Sequence, residues 1–179
     1  FTIATFNLRN LAIPDSPVYA DLVYTNAEYE DKINWTAQQL QKMDADIVSF
    51  QECFQSEALL EAIKRSGRYS DFHFTMPFDN ESLPRVALLS RYPIQNDEGI
   101  QDLPSNTKTS EFTQFRRPII QSQIQLSEQH RINFFAVHLK SRQPLFLDDQ
   151  DKNNPHIYLQ ALARSLHLRS MEAIAIQQL

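Results

Sequence analysis

Glycine is nearly absent from this chain. Its 179 residues include two, Gly67 and Gly99, where an average protein carries roughly 7%. No Gly-rich phosphate loop or dinucleotide fingerprint can therefore be present. Cysteine is scarcer still, and the lone Cys53 excludes an intrachain disulfide and any zinc cluster built on several thiolates. No apolar run approaches the roughly 18 residues that cross a bilayer. There is no basic tract either: 17 Lys+Arg stand against 22 Asp+Glu, a formal charge of −5. With a pI near 5.5, a protein that holds nucleic acid by charge alone is disfavoured. An enzyme that grips one phosphate with a metal and one or two arginines is not. Residue 1 is Phe rather than Met, so the native N-terminus reads as missing. That leaves secreted and cytoplasmic locations equally open.

What is present is an ordinary globular composition, 42% apolar and 22% charged. A chain of 20.9 kDa suits one domain with a real hydrophobic core. Thr2-Ile-Ala-Thr-Phe6 alternates and is β-branched, which predicts a strand ending at Asn7. Residues 11–27, with Pro14 and Pro17, read as loop. Ile33, Ala37 and Leu40 fall at helical spacing and predict a helix over about 29–43, broken by Asp44-Ala-Asp46. A short buried strand over 47–50 runs out into Gln51-Glu52, and Ser56 is placed to cap a second helix reaching about Arg65.

Strands follow at 72–76 and 85–90, then a polar loop over 101–114. Residues 117–126 and 131–137 read as an antiparallel hairpin across Ser127–His130. The last 24 residues, 156–179, predict one long helix with Leu159, Leu162, Leu166 and Ile174 near one face. There is no internal repeat, and the class is α+β or mixed α/β.

Three predicted strands end in a polar residue at the rim of an apolar run: Asn7, Glu52 and His138. Strand ends that feed loops are where a rigid scaffold presents functional groups. A carboxylate, a carboxamide and an imidazole on one rim would suit a hard cation and a phosphate. Glu52 would be the anionic ligand for Mg²⁺ or Mn²⁺, Asn7 would orient phosphate or metal-bound water, and His138 would donate to developing charge. By spacing alone the plain readings come first: Asn7 as a turn former, Glu52 as a solvated strand end and His138 as a satisfied core histidine. His73 reads as facing solvent on a strand and His130 as part of a hairpin turn, while His156 and His167 lie on or beside a helix with no i,i+4 partner. Cys53 reads as packing, and Asp148, Asp149 and Asp151 as a solvated acidic loop.

The strings themselves say more. Ile3-Ala-Thr-Phe-Asn-Leu-Arg-Asn10, Asp46-Ile-Val-Ser-Phe-Gln-Glu52, Leu88-Leu-Ser-Arg-Tyr-Pro-Ile94 and Phe135-Ala-Val-His-Leu-Lys-Ser141 occur in that order. Together they resemble the endonuclease/exonuclease/phosphatase superfamily, the deoxyribonuclease-I-like fold, from Thr2 to about the final helix. The resemblance implies an α+β fold: a two-sheet sandwich flanked by helices in four layers, α/β/β/α. It also implies hydrolysis of phosphate esters with a divalent metal, Mg²⁺ or Mn²⁺. Glu52 matches the family's metal-binding glutamate. Asn7 matches the asparagine that contacts phosphate or the metal-bound network, and His138 the catalytic histidine of one branch. Arg116, in Phe115-Arg-Arg-Pro118, resembles a phosphate-touching arginine, with Arg117 as close in sequence. Arg9 falls where some nucleases contact the backbone and reads equally as a surface charge.

Two departures accompany the resemblance. Where the nuclease branch pairs its histidine with a glutamate on an earlier strand, this chain has Pro84 or Arg85. The later motifs, Gly-Asp-x-Asn and Ser-Asp-His, are absent from the 179 residues, so the expectation is one incomplete domain over 1–179. The expected function is a metal-dependent phosphodiesterase, a nuclease acting on DNA or RNA, with no membrane span and no evident protein partner. The alternatives are a catalytically incomplete or non-enzymatic half domain, and a phosphatase or sphingomyelinase-type phosphodiesterase.

Overall fold

The structure, a computed structural model, describes residues 1–16, 23–77 and 83–179. Part of the loop expected over 11–27 lies outside these described residues. The chain folds as mixed α+β, the expected class. Its strands are β1 (Ile3–Leu11), β2 (Ile47–Cys53), β3 (His73–Thr75), β4 (Arg85–Ser90), β5 (Ile94–Asp102), β6 (Gln114–Ser127) and β7 (His130–Ala136). Its helices are α1 (Asn26–Met43), α2 (Ser56–Ser66) and α3 (Pro155–Ile176). One sheet has the order β1-β2-β4-β3 and the other β5-β6-β7. Two compact units result, Phe1–Gly99 with Pro118–His138, and Ile100–Arg117 with Leu139–Leu179.

In the first unit, β1 and β2 are parallel and joined through α1, while β4 runs antiparallel to β2 and β3. Successive residues of β2 and β4 feed two different cores. Val48, Phe50, Ala87 and Leu89 join Ile33 and Leu40 of α1 and Leu59 and Ile63 of α2. Ile47, Val86 and Leu88 join Ile120, Ile124 and Ala136 of the other sheet. Helices, sheet and second sheet thus form three layers within this unit. Strands covered on both faces are apolar throughout instead of alternating, which is why 47–50 and 85–90 are legible as short buried runs. Asp46 ties the start of β2 to β1: its carboxylate accepts the Thr2 N–H at 2.7 Å and the Thr2 hydroxyl at 3.1 Å. With Arg91 as a further donor, these bonds hold the Asp46 carboxyl below its ordinary pKa.

α1 begins three residues earlier than its apolar spacing indicates, because a capping box starts it. Thr25 Oγ1 accepts the Glu28 N–H at 3.3 Å, and the Glu28 carboxylate accepts the Thr25 N–H at 2.9 Å. Asp44, left-handed at φ 45°, closes it. Ser56 is not the cap of α2; Gln55 occupies that place without a side-chain bond to the helix. The Gln55 amide is committed elsewhere, accepting the Ile13 N–H at 3.1 Å and donating to Ser16 Oγ at 2.7 Å.

β5 has no counterpart in the expected elements and runs to Asp102, the edge of the region read as polar loop. It is an edge strand, and most of its residues are exposed. It therefore carries no apolar alternation to read. The β6–β7 hairpin is as expected, with Ser127 paired to His130.

In the second unit α3 forms where a helix is expected, over Pro155–Ile176 against 156–179. Leu159, Leu166 and Ile174 are 62%, 48% and 49% exposed, and the buried residues are Ala161, Ser165, Leu168, Glu172 and Ala175. That face is a polar clamp for the segment following β7. Leu145 N–H donates to Ala161 O at 2.9 Å, and Arg164 Nη1 to Leu145 O at 2.8 Å. Ser165 Oγ donates to Gln143 O, and Arg169 Nη1 to Lys140 O at 2.9 Å. Small side chains let the strap approach, while Leu159 and Leu166 stay exposed.

Candidate functional site

Asn7, Glu52 and His138 all belong to the first unit, and the structure brings them together. Asn7 is the last residue of β1 in regular register with β2, paired with Gln51; the next pair is Leu11 with Cys53. Four steps along β1 thus match two along β2, and the extra chain forms a bulge. Arg9 and Asn10 occupy it in the left-handed region, at φ 50° and 61°. Glu52, the residue after Gln51, is left-handed as well, at φ 62°. Such conformations are uncommon outside glycine and persist only where the surroundings enforce them. Here they swing one side chain from each strand toward the other.

The centre of the group is one carboxylate oxygen. Asn7 Nδ2 donates to Glu52 Oε1 at 3.0 Å, and His138 Nε2 lies 3.6 Å from the same oxygen. The second distance is an ion-pair contact for a protonated imidazole rather than a hydrogen bond. The Arg9 N–H donates to Asn7 Oδ1 at 2.8 Å. That bond fixes which end of the carboxamide faces Glu52, since only the NH₂ end can face a carboxylate. The side chains of Glu52 and His138 are 22% and 15% exposed, open enough to meet a ligand.

A cation at this group would be held by oxygen, with Glu52 as its anionic donor. Among the described residues no group of three or more His, Cys, Asp or Glu is arranged to hold a metal, so a closed zinc site has no ligands. Mg²⁺ is commonly held by one or two carboxylates while keeping several waters. Glu52 meets the lower bound of that requirement, and Asn7 Oδ1 retains a second lone pair beside the one that Arg9 uses.

Arg9 sits in the bulge next to this group. Arg116 and Arg117 belong to the second unit. There the Arg116 N–H donates to Glu172 Oε1 at 2.7 Å, and Arg117 Nη1 donates to Leu139 O at 3.4 Å. Arg85, which with Pro84 is one of two residues the resemblance sets where it implies a glutamate, is buried and donates to the Phe54 carbonyl. The carboxylate beside His138 is Glu52. Cys53 is fully buried and its thiol is pushed up to about 12 by that burial, as its reading as a packing residue requires. His167 stacks edge-on against Phe112, 5.4 Å between centroids.

Sequence reasoning passes over Lys32 and Tyr24. Lys32 Nζ donates to the Arg9 carbonyl and, at 2.6 Å, to the Tyr24 hydroxyl, which in turn donates to Asn10 O at 2.9 Å. Burial, then the charge of Arg9, lower the Lys32 pKa to about 8 against the opposing pull of Glu52. A lysine on an amphipathic helix reads as a solvated charge, and nothing in its spacing marks it otherwise.

No family model and no curated protein sequence matches the chain. Its structure is similar to solved structures of the endonuclease/exonuclease/phosphatase family. One, from Leptotrichia buccalis C-1013-b, is 13% identical over 91% of this chain and 60% of that one, with a TM-score of 0.47. A second, from Bacteroides thetaiotaomicron, is 18% identical over 75% and 49%, with a TM-score of 0.48. A mannosyl-6-phosphatase from Bacteroides thetaiotaomicron VPI-5482 is 21% identical over 75% and 49%, with a TM-score of 0.44. The chain thus spans 49% to 60% of the length of these structures. No helix among the described residues is long and apolar enough to cross a membrane.

Proposed function

We propose that the full-length protein is a divalent-metal-dependent phosphodiester hydrolase, a nuclease acting on DNA or RNA. The observation that carries this reading is the convergence of Asn7 and His138 on one oxygen of Glu52, where three left-handed residues bend β1 and β2. Glu52, with Asn7 beside it, would hold Mg²⁺ or Mn²⁺, whose charge polarises a phosphoryl oxygen and steadies a leaving oxyanion. Asn7 orients the carboxylate and the phosphate. His138 donates a hydrogen bond to charge that develops on the phosphate. Arg9, in the bulge beside Asn7, binds a phosphate oxygen of the substrate.

The test has two parts. Titration calorimetry of Mn²⁺ into the 179-residue chain reads metal binding without turnover, and Glu52→Ala should abolish the heat. In the full-length protein, Glu52→Ala should remove most EDTA-sensitive cleavage of supercoiled plasmid and of bis(p-nitrophenyl) phosphate. Wild-type turnover in that variant would overturn the assignment.

A second reading, a phosphate-binding module without turnover, is favoured by the single carboxylate of the described site. Under it the full-length protein binds nucleotide phosphate and never releases product, in Mg²⁺ or Mn²⁺. The 179-residue chain, lacking Gly-Asp-x-Asn and Ser-Asp-His, is expected to show no turnover under either reading.

A further inference from the structure

A continuous chain of contacts leads from helix α1 to the candidate site. Lys32 Nζ donates to the carbonyl of Arg9. The N–H of Arg9 donates to Asn7 Oδ1 at 2.8 Å, Asn7 Nδ2 donates to Glu52 Oε1 at 3.0 Å, and that oxygen faces His138. Tyr24 closes a second arm, receiving Lys32 at 2.6 Å and donating to the Asn10 carbonyl at 2.9 Å. One ammonium and one phenol thus engage both carbonyls of the two-residue bulge.

The bulge needs such an anchor. Arg9 and Asn10 are consecutive left-handed residues, and arginine in particular has no intrinsic preference for that region. Both residues lie in the stretch where the β1–β2 register is interrupted, so the ladder does not set their conformation. Their carbonyls instead find donors on Tyr24 and on α1. A released bulge would turn the Arg9 N–H away from Asn7, and with it the carboxamide away from Glu52.

We propose that Lys32, acting with Tyr24, is a positioning residue of the candidate site, locking the Arg9–Asn10 bulge so that Asn7 is presented to Glu52. This rests on the site reading given above, and it adds the device that sets the geometry. Lys32 does not touch the substrate; it acts through the backbone of Arg9.

The Arg9 amide reports the link directly, with no need for turnover. In the 179-residue chain, Lys32→Met and Tyr24→Phe should each speed hydrogen exchange at the Arg9 amide by about tenfold relative to the Phe50 amide of the same sheet. Lys32→Arg should recover part of the protection. An Arg9 amide exchanging as in the wild type, or accelerating only in step with Phe50, would overturn the proposal. Tyr24→Phe keeps the ring and loses only the hydroxyl, so it carries the test if Lys32→Met fails to fold. In the full-length protein, Lys32→Met should lower kcat for bis(p-nitrophenyl) phosphate about tenfold with KM little changed. If the amide responds but no Glu52-dependent hydrolysis exists, the anchoring stands and the nuclease reading falls.

Discussion

The carboxylate of Glu172, 1% exposed, accepts the Lys140 N–H at 2.6 Å. Its other oxygen accepts the Arg116 N–H at 2.7 Å, so a single side chain of α3 joins the start of β6 to the segment that follows β7. A buried carboxylate is tolerated where hydrogen bonds replace its hydration.

Glu172→Ala would leave two backbone N–H groups without their acceptor and open a small void. We expect it to lower stability by about 2–4 kcal/mol. Glu172→Gln, isosteric but with an NH₂ facing one of the two donors, should fall between the alanine variant and the wild type. Urea denaturation followed by circular dichroism measures both, and a Glu172→Ala midpoint equal to the wild type would contradict the bridging role.

Glu172 also shows where the sequence is legible and where it is not. Elements whose two faces are both buried, such as 47–50 and 85–90, announce themselves as uninterrupted apolar runs, and their observed bounds agree closely. α3 is legible as a helix, but its leucine spacing does not say which face is buried. The buried face instead uses Ala161, Ser165 and Glu172 to receive a backbone strap. β5 is invisible for the converse reason, being a solvated edge whose order comes from pairing rather than burial. At the candidate site, the strings name Asn7, Glu52 and His138, and these three meet. The bulge, the left-handed backbone and the Lys32–Tyr24 anchor depend on chain segments far apart in sequence, which no local pattern encodes.

Glu52 at φ 62° makes a separable prediction about strain. An alanine there keeps a Cβ in the left-handed region, whereas a glycine does not suffer that clash. Both variants lose the carboxylate. Glu52→Gly should therefore be more stable than Glu52→Ala by about 1 kcal/mol, while neither binds Mn²⁺. Thermal melting of the two variants in EDTA compares them without any metal contribution. Equal melting temperatures, or a less stable glycine variant, would mean that the backbone at Glu52 carries no strain and that its left-handed geometry is incidental to the site.

Lys32 gives the fold a pH dependence of defined sign. Its ammonium titrates near pH 8 in the folded protein and at about 10.4 in an unfolded chain. Between those values the unfolded chain binds more protons, so the Lys32 contribution to stability rises with pH across that window and is flat below it. Arg9 on the bulge reinforces this direction, Glu52 opposes it, and burial is the largest cause. Burial, the largest cause, raises the Tyr24 phenol from its ordinary value, and Tyr24 is present in both proteins that the measurement compares. The difference in unfolding free energy between wild type and Lys32→Met, measured from pH 7 to pH 10, should shift in favour of the wild type as pH rises. A difference independent of pH would mean that the Lys32 ammonium keeps its full hydration. Its bonds to Arg9 and Tyr24 would then form only part of the time. A difference moving the other way would mean that the charge itself, paired with Glu52, is what holds the bulge closed.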